Sequence, residues 1–235
     1  MKKEDSSQPL SPDETLDIFF NGKLKIFQKK RGYRFSIDAI LLAQFVRIRK
    51  DERVVDLGTG CGILPLLLSQ TSKASSFIGV EIQKGLAECA AKNVIFNQLE
   101  DRISIFHRDF TELKTVFPSN SFHVVVSNPP YRKFRTGRIN PHPEKAIARH
   151  EIKANLNDLT SVLAHLLKQK GRAYIIFPAT RTADLLTSLR HQNLEPKRVQ
   201  FVHSCAEEEA KFILVEAIKF SGVELHVMPP RILHP

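Results

Sequence analysis

The sequence predicts an α/β protein with a seven-stranded, mostly parallel sheet, one antiparallel edge strand, and helices on both faces. Three observations lead there. From residue 53 onward, short runs rich in β-branched residues alternate with helical stretches. A glycine-rich turn follows the first of these runs, where open α/β sheets bind ligands. The last two runs are separated only by CAEEEA (205–210), a link that permits a hairpin but no parallel crossover.

The elements follow in order. Residues 1–17 are polar with Ser and Pro, and a flexible tail is expected over 1–20. A single domain then runs over 21–235, with an N-terminal lid segment at 21–50 and a basic substrate loop at 132–150. In RFSIDAILLAQFVRI, Ile37, Ile40, Leu41, Gln44, Phe45 and Ile48 share one helical face, with Ser36 as N-cap. Strands are expected at 53–58, 77–81, 103–109, 122–128, 172–178, 199–204 and 211–220, and helices near 62–72, 84–97, 156–169 and 181–192. Gly171, directly after LLKQK, reads as a helix C-cap.

Composition narrows the class. The chain has 235 residues, 42% of them hydrophobic, enough for a sizeable core. Its formal net charge of +10 suggests an anionic partner, either nucleic acid or an acidic membrane surface. The three cysteines (Cys61, Cys89 and Cys205) show no metal-ligand spacing, and the nine histidines are scattered without an HExxH pair. No metal site and no disulfide framework are expected. The N-terminal residues carry acids where a signal peptide has its apolar stretch, and no uncharged apolar run is long enough for a membrane span. The expectation is a cytoplasmic, soluble protein without a membrane partner. The sequence leaves the oligomeric state open, with a monomer favoured.

VVDLGTGCGIL ends the first core strand and opens a helix. Gly58, Gly60 and Gly62 allow a tight turn and a close backbone approach to a ligand, and the strand carries Asp56 to the carboxyl edge of the sheet. The spacing G-x-G-x-G is neither the dinucleotide pattern nor a Walker loop. Glu81 ends the second strand, where an acid can accept from ribose hydroxyls. Asp109 ends the third, beside Phe110, pairing an acceptor for an adenine amino group with an apolar surface for the ring. Three acids at successive strand ends point to a nucleoside-containing cofactor. With these motifs, roughly residues 33–220 resemble the class I S-adenosylmethionine-dependent methyltransferases. That resemblance implies their Rossmann-like fold and assigns the methionine part of the cofactor to Asp56, Gly58, Gly60 and Gly62, the ribose to Glu81, and the adenine to Asp109 with Phe110.

The fourth strand ends in VVVSNPPY (124–131). A methyl group on a sulfonium is already activated, so the difficulty lies with a nucleophile whose lone pair is delocalised into a π system. Two acceptors aimed at its N–H groups free that lone pair. The Asn128 side-chain oxygen and the Pro129 carbonyl supply them, and Pro129 and Pro130 hold the pair rigidly. Tyr131 offers a ring face for a flat base, which suits an extruded adenine or guanine. In methyltransferases resembling this one, such a motif marks methylation of planar amines: adenine N6, cytosine N4, guanine N2 or glutamine amide.

Two basic stretches bear on the substrate. One carries Lys29, Lys30 and Arg31; the other begins at the motif itself with Arg132, Lys133, Phe134, Arg135 and Arg138. Contacts to phosphates are expected from both, with Phe134 available to stack on a base. The segment QKKRGYRFSIDAILLAQF (28–45), followed by the glycine turn and NPPY, is similar to the bacterial tRNA1(Val) adenine-N6 methyltransferase family, as are ARHE (148–151) and EAKFILVEAIKF (209–220). The family methylates N6 of the adenine just 3′ of the anticodon. The resemblance implies that Gly32 to Asp38 form the cofactor lid, that Arg34 lies near the active site as a cofactor-binding residue, and that tRNA is the partner. Alternatives on the same chemistry are guanine N2 in rRNA, adenine N6 in DNA, and the glutamine amide of a release factor. Against the last, fewer than 60 residues precede Gly58, and they are basic. A non-catalytic RNA-binding protein on the same fold is the reading from another class; retention of Asp56, Glu81 and Asn128 argues against it.

Overall fold

The computed structural model describes residues 12–31, 34–129 and 156–234. The chain opens with an antiparallel hairpin, β1 (Glu14–Phe19) and β2 (Leu24–Lys29). Helix α1 (Ile37–Phe45) leads into the main sheet. Its core strands are β3 (Arg53–Leu57), β4 (Ser76–Glu81), β5 (Ile103–His107), β6 (Phe122–Ser127), β7 (Leu167–Pro178), β8 (Leu194–His203) and β9 (Phe212–Lys219). Helices α2 (Ile63–Thr71) and α3 (Lys84–Phe96) follow β3 and β4, and the one-turn α4 (Leu113–Val116) follows β5. Helices α5 (Leu156–Leu166) and α6 (Thr182–His191) flank β7.

The spatial order is β10-β8-β9-β7-β6-β3-β4-β5, where β10 (His226–Val227) and β11 (Arg231–Ile232) are two-residue strands that both pair with β8. The expected antiparallel strand is β9. It lies between β7 and β8 and runs against both, and the short β10 and β11 extend the sheet beyond β8.

Alternation along the strands sends residues to two separate cores. Val54, Phe77, Val124, Val126, Tyr174 and Ile176 pack with α1, α2 and α3. Val55, Ile78, Val125, Ala173, Ile175 and Phe177 pack with α4, α5 and α6. Both faces are covered, which is why the strands read as nearly continuous apolar runs.

Three local expectations are corrected. The tail expected over residues 1–20 contains β1, whose Thr15, Leu16 and Asp17 pair with Gln28, Phe27 and Ile26. Helix α1 buries Asp38, Ala39, Leu41, Leu42 and Phe45, while Ile37 is 48% exposed, so the buried face is rotated from the one expected. The helix is apolar nearly all round, and periodicity could not choose a face. Gly171 is no helix cap: it lies inside β7, in a register shift against β6. A Cβ there would stand 2.8 Å from the Lys168 carbonyl oxygen, so only glycine fits the irregularity. Ser36 does occupy the N-cap position of α1, but its hydroxyl bonds the Asp38 carboxylate, and that carboxylate accepts the Ala39 amide at 2.9 Å.

Candidate active site

The site is assembled at the carboxyl ends of β3, β4, β5 and β6. Gly58, Gly60 and Gly62 all have positive φ, at +80°, +59° and +84°. The Gly58 and Thr59 amides both donate to the Val80 carbonyl at 2.9 Å, which folds the turn back over β4. Thr59 then lies against Gly79, where a Cβ would come within 2.9 Å of its side chain. Among the described residues a Cβ on Gly58 would meet nothing within 4 Å, so the backbone there faces space that a ligand can approach.

Asp56 is 1% exposed, and among the described residues neither of its carboxylate oxygens has a hydrogen-bond partner; the buried Thr59 hydroxyl lacks one too. Burial drives the Asp56 pKa up to about 7; the nearby Thr59 hydroxyl opposes this and the Glu81 charge adds to it. Buried polar atoms without partners mark a site shaped for a polar ligand.

Glu81 is also buried, but its oxygens are used. One accepts the Gly60 amide at 2.9 Å and the other the Gln83 amide at 2.8 Å. Burial raises its pKa, and the backbone amides partly offset that. Asp109 is tied to the same strand end, because the Arg108 amide donates to the Glu81 carbonyl at 2.9 Å. The Asp109 side chain caps the following single turn by accepting from the Thr111 amide at 3.0 Å. Phe110 is half-buried and packs on the α4–α6 side.

The fourth strand end is pinned to the first. The Ser127 hydroxyl donates to the Leu57 carbonyl at 2.9 Å, and these two residues are register partners. Asn128, half-buried, and Pro129, buried, therefore begin directly beside the glycine turn. Pro130, Tyr131, Arg132, Lys133, Phe134, Arg135 and Arg138 lie outside the described residues, as do Gly32 and Tyr33.

The hairpin covers the α3 side of the turn. Arg34 donates to the Thr15 hydroxyl at 2.6 Å and to the Lys29 carbonyl at 3.2 Å, and lies 3.5 Å from Asp17. Gln28 is 2% exposed and spans two segments, donating to Asp17 and accepting the Phe35 amide at 3.0 Å. Lys30 donates to the Pro12 carbonyl at 2.6 Å. The Lys29 ammonium reaches the first turn of α3, where a Cβ on Gly85 would stand 3.0 Å from it. The motif reading did not single out Thr59, Ser127, Gln28 or Asn93. Asn93 had a signal, as an amide on a helix face otherwise made of Leu86, Ala87, Ala90 and Val94.

The methyltransferase small domain family matches residues 33–176, more than half of the chain. The chain belongs to this family. A Porphyromonas gingivalis protein named tRNA1(Val) (adenine(37)-N6)-methyltransferase is 30% identical over 206 residues, 85% of this chain and 80% of that one. A Bacteroides thetaiotaomicron protein of the same name is 31% identical, covering 71% of this chain and 68% of its own length. Among solved structures, a predicted O-methyltransferase from Agrobacterium tumefaciens superposes with a TM-score of 0.68 at 23% identity, over 84% of this chain and 88% of that one. Geranyl diphosphate C-methyltransferase from Streptomyces coelicolor gives 0.57 at 14% identity, over 78% of each chain. These two share the fold, a Rossmann-like class I methyltransferase. The cofactor of this methyltransferase is S-adenosylmethionine, and the residues present fit it: the unpartnered Asp56 carboxylate and Thr59 hydroxyl can receive its polar groups, and the open backbone at Gly58 admits it.

Proposed function

We propose that the protein methylates the exocyclic N6 of an adenine in tRNA, with adenine 37 of tRNA1(Val), the substrate in its relatives' names, as the target. The observation that carries this reading is the Ser127–Leu57 bond, which starts the NPP motif against the glycine turn. S-adenosylmethionine supplies an activated methyl group. The chain's task is to present a nitrogen lone pair to it. Asn128 and the Pro129 carbonyl accept the two N–H groups of the adenine amine, and the buried Pro129 ring fixes the backbone that carries the second acceptor. As the nitrogen takes the methyl it becomes cationic and its N–H groups more acidic, so two neutral acceptors stabilise it until a proton passes to water. Tyr131 stacks on the base. Asp56 and the glycine turn hold the methionine end of the cofactor, Glu81 the ribose, and Asp109 with Phe110 the adenine.

Lys29, Lys30, Arg31 and the basic run from Arg132 to Arg138 are assigned to RNA phosphates, and the surplus of +10 charges supports a polyanionic partner. No helix among the described residues is long and apolar enough to cross a membrane, and a tRNA substrate supports a cytoplasmic location.

The test is methyl transfer from labelled S-adenosylmethionine to total bacterial tRNA, with nucleoside analysis. N6-methyladenosine in a valine tRNA is expected. Label in rRNA, DNA or a release factor instead would keep the NPPY chemistry and overturn the substrate.

A further inference from the structure

Helix α3 carries Asn93, and Asn97, one turn on, is its C-cap; both pair with the backbone of β2. Asn93 is fully buried; its Oδ1 accepts the Phe27 amide at 2.7 Å and its Nδ2 donates to the Phe27 carbonyl at 3.0 Å. Asn97 treats Lys25 the same way, accepting its amide at 2.9 Å and donating to its carbonyl at 2.7 Å. Two side-chain amides thus stand in for a neighbouring strand along alternate residues of β2. The two differ in their third bond: Asn97 also donates to the Asn93 carbonyl at 2.7 Å, one turn back, whereas Asn93 reaches out of the helix. Its second Nδ2 hydrogen goes to the Cys61 carbonyl at 2.9 Å, in the glycine turn itself. All its hydrogen-bonding groups are then engaged.

Cys61 lies between two left-handed glycines, Gly60 and Gly62, so the orientation of its peptide helps set the shape of the turn. Gly62 is held close to the same helix, where a Cβ would stand 3.2 Å from that of Ala90. Asp17 of β1 is near enough to push the Cys61 thiol pKa up further, beyond the effect of burial and of Cys89.

We propose that Asn93 is a positioning residue that couples docking of the β1–β2 hairpin to the shape of the glycine turn, so that hairpin docking and cofactor occupancy are thermodynamically linked. This rests on reading the glycine turn as the cofactor site. A bond shared between hairpin and turn makes the linkage reciprocal: what orders one orders the other. Gln28 carries the effect onward, because it joins β2 to Asp17 and to the Phe35 amide ahead of α1.

The test is calorimetric binding of S-adenosylhomocysteine to the unaltered protein, Asn93→Ala and Asn97→Ala, with hydrogen exchange over residues 24–29 in each. Both variants lose hairpin bonds, but only the first loses the bond to the turn. Asn93→Ala should weaken binding about tenfold, while Asn97→Ala stays within about twofold. In the unaltered protein the ligand should slow exchange at Lys25 and Phe27, and in Asn93→Ala that slowing should vanish. Equal weakening in both variants, or no weakening in Asn93→Ala, would overturn the coupling. Should Asn93→Ala not fold, the unaltered protein still decides, because hairpin exchange indifferent to saturating ligand overturns it. Absence of any binding by the unaltered protein overturns the cofactor reading itself, a distinguishable result.

Discussion

The Glu81 carboxylate accepts the Gly60 amide at 2.9 Å, so the acid that ends β4 and the turn that follows β3 form one unit. Glu81 shapes the turn even without a ligand. Removing it leaves the Gly60 and Gln83 amides without their acceptor. Glu81→Ala should lower stability by about 1–3 kcal/mol and weaken S-adenosylmethionine binding by about tenfold or more. Chemical denaturation and calorimetry check the two effects; unchanged affinity would remove its ribose role.

Asp56 gives the cofactor-free protein a pH signature. Its pKa rises from 3.8 to about 7 on folding. The native state therefore holds a proton that the unfolded chain has already lost, and the associated stability is present below the unfolded pKa and lost as pH rises through about 7. That loss is on the order of 4 kcal/mol. Asp56→Asn should abolish this part of the pH dependence. Urea unfolding of both proteins between about pH 5 and about pH 8 reads the difference directly. Glu81 shifts in the same sense, so a smaller slope should survive in the variant.

Asn128 should separate chemistry from cofactor binding. Asn128→Ala removes one of the two acceptors for the adenine amine and should cut kcat at least about a hundredfold. The cofactor Kd should stay within about twofold. Single-turnover kinetics with tRNA and calorimetry with S-adenosylhomocysteine measure the two sides. A variant with full rate would sink the acceptor mechanism.

Arg135→Glu with Arg138→Glu should act on the RNA alone. KM for tRNA should rise, and the slope of log affinity against log salt should fall by about 1–2, with kcat at saturating tRNA kept. An unchanged salt slope would make the loop inert.

How far the sequence was legible follows from burial. Strands β3, β4 and β6 and the second half of β7 are covered on both faces, so their apolar runs are nearly unbroken and stand out against the helices between them. The hairpin was missed for the opposite reason. β2, LKIFQK, buries Leu24, Ile26, Phe27 and Gln28 while Lys25 stays exposed, which fits neither strict alternation nor a buried run. β1 carries a half-buried charge, Asp17, whose partners Gln28 and Arg34 come from other segments. Gly171 follows a run that resembles a helix end, and only the approach of the Lys168 carbonyl reveals it as a strand irregularity.

The sequence by itself determined the parallel architecture, the glycine turn, the acids at successive strand ends and the NPPY motif. Each is a local pattern, set by residues adjacent in the chain or by spacing along one element. Only the tertiary structure decided how these parts hold one another. The Ser127–Leu57 bond spans 70 residues, the Glu81–Gly60 bond spans 21, and Asn93 reaches 66 residues back to Phe27 and 32 to Cys61. An amide or hydroxyl carries no mark of its distant partner in the sequence; folding brings the two together in a buried place where neither can be left unpaired without cost.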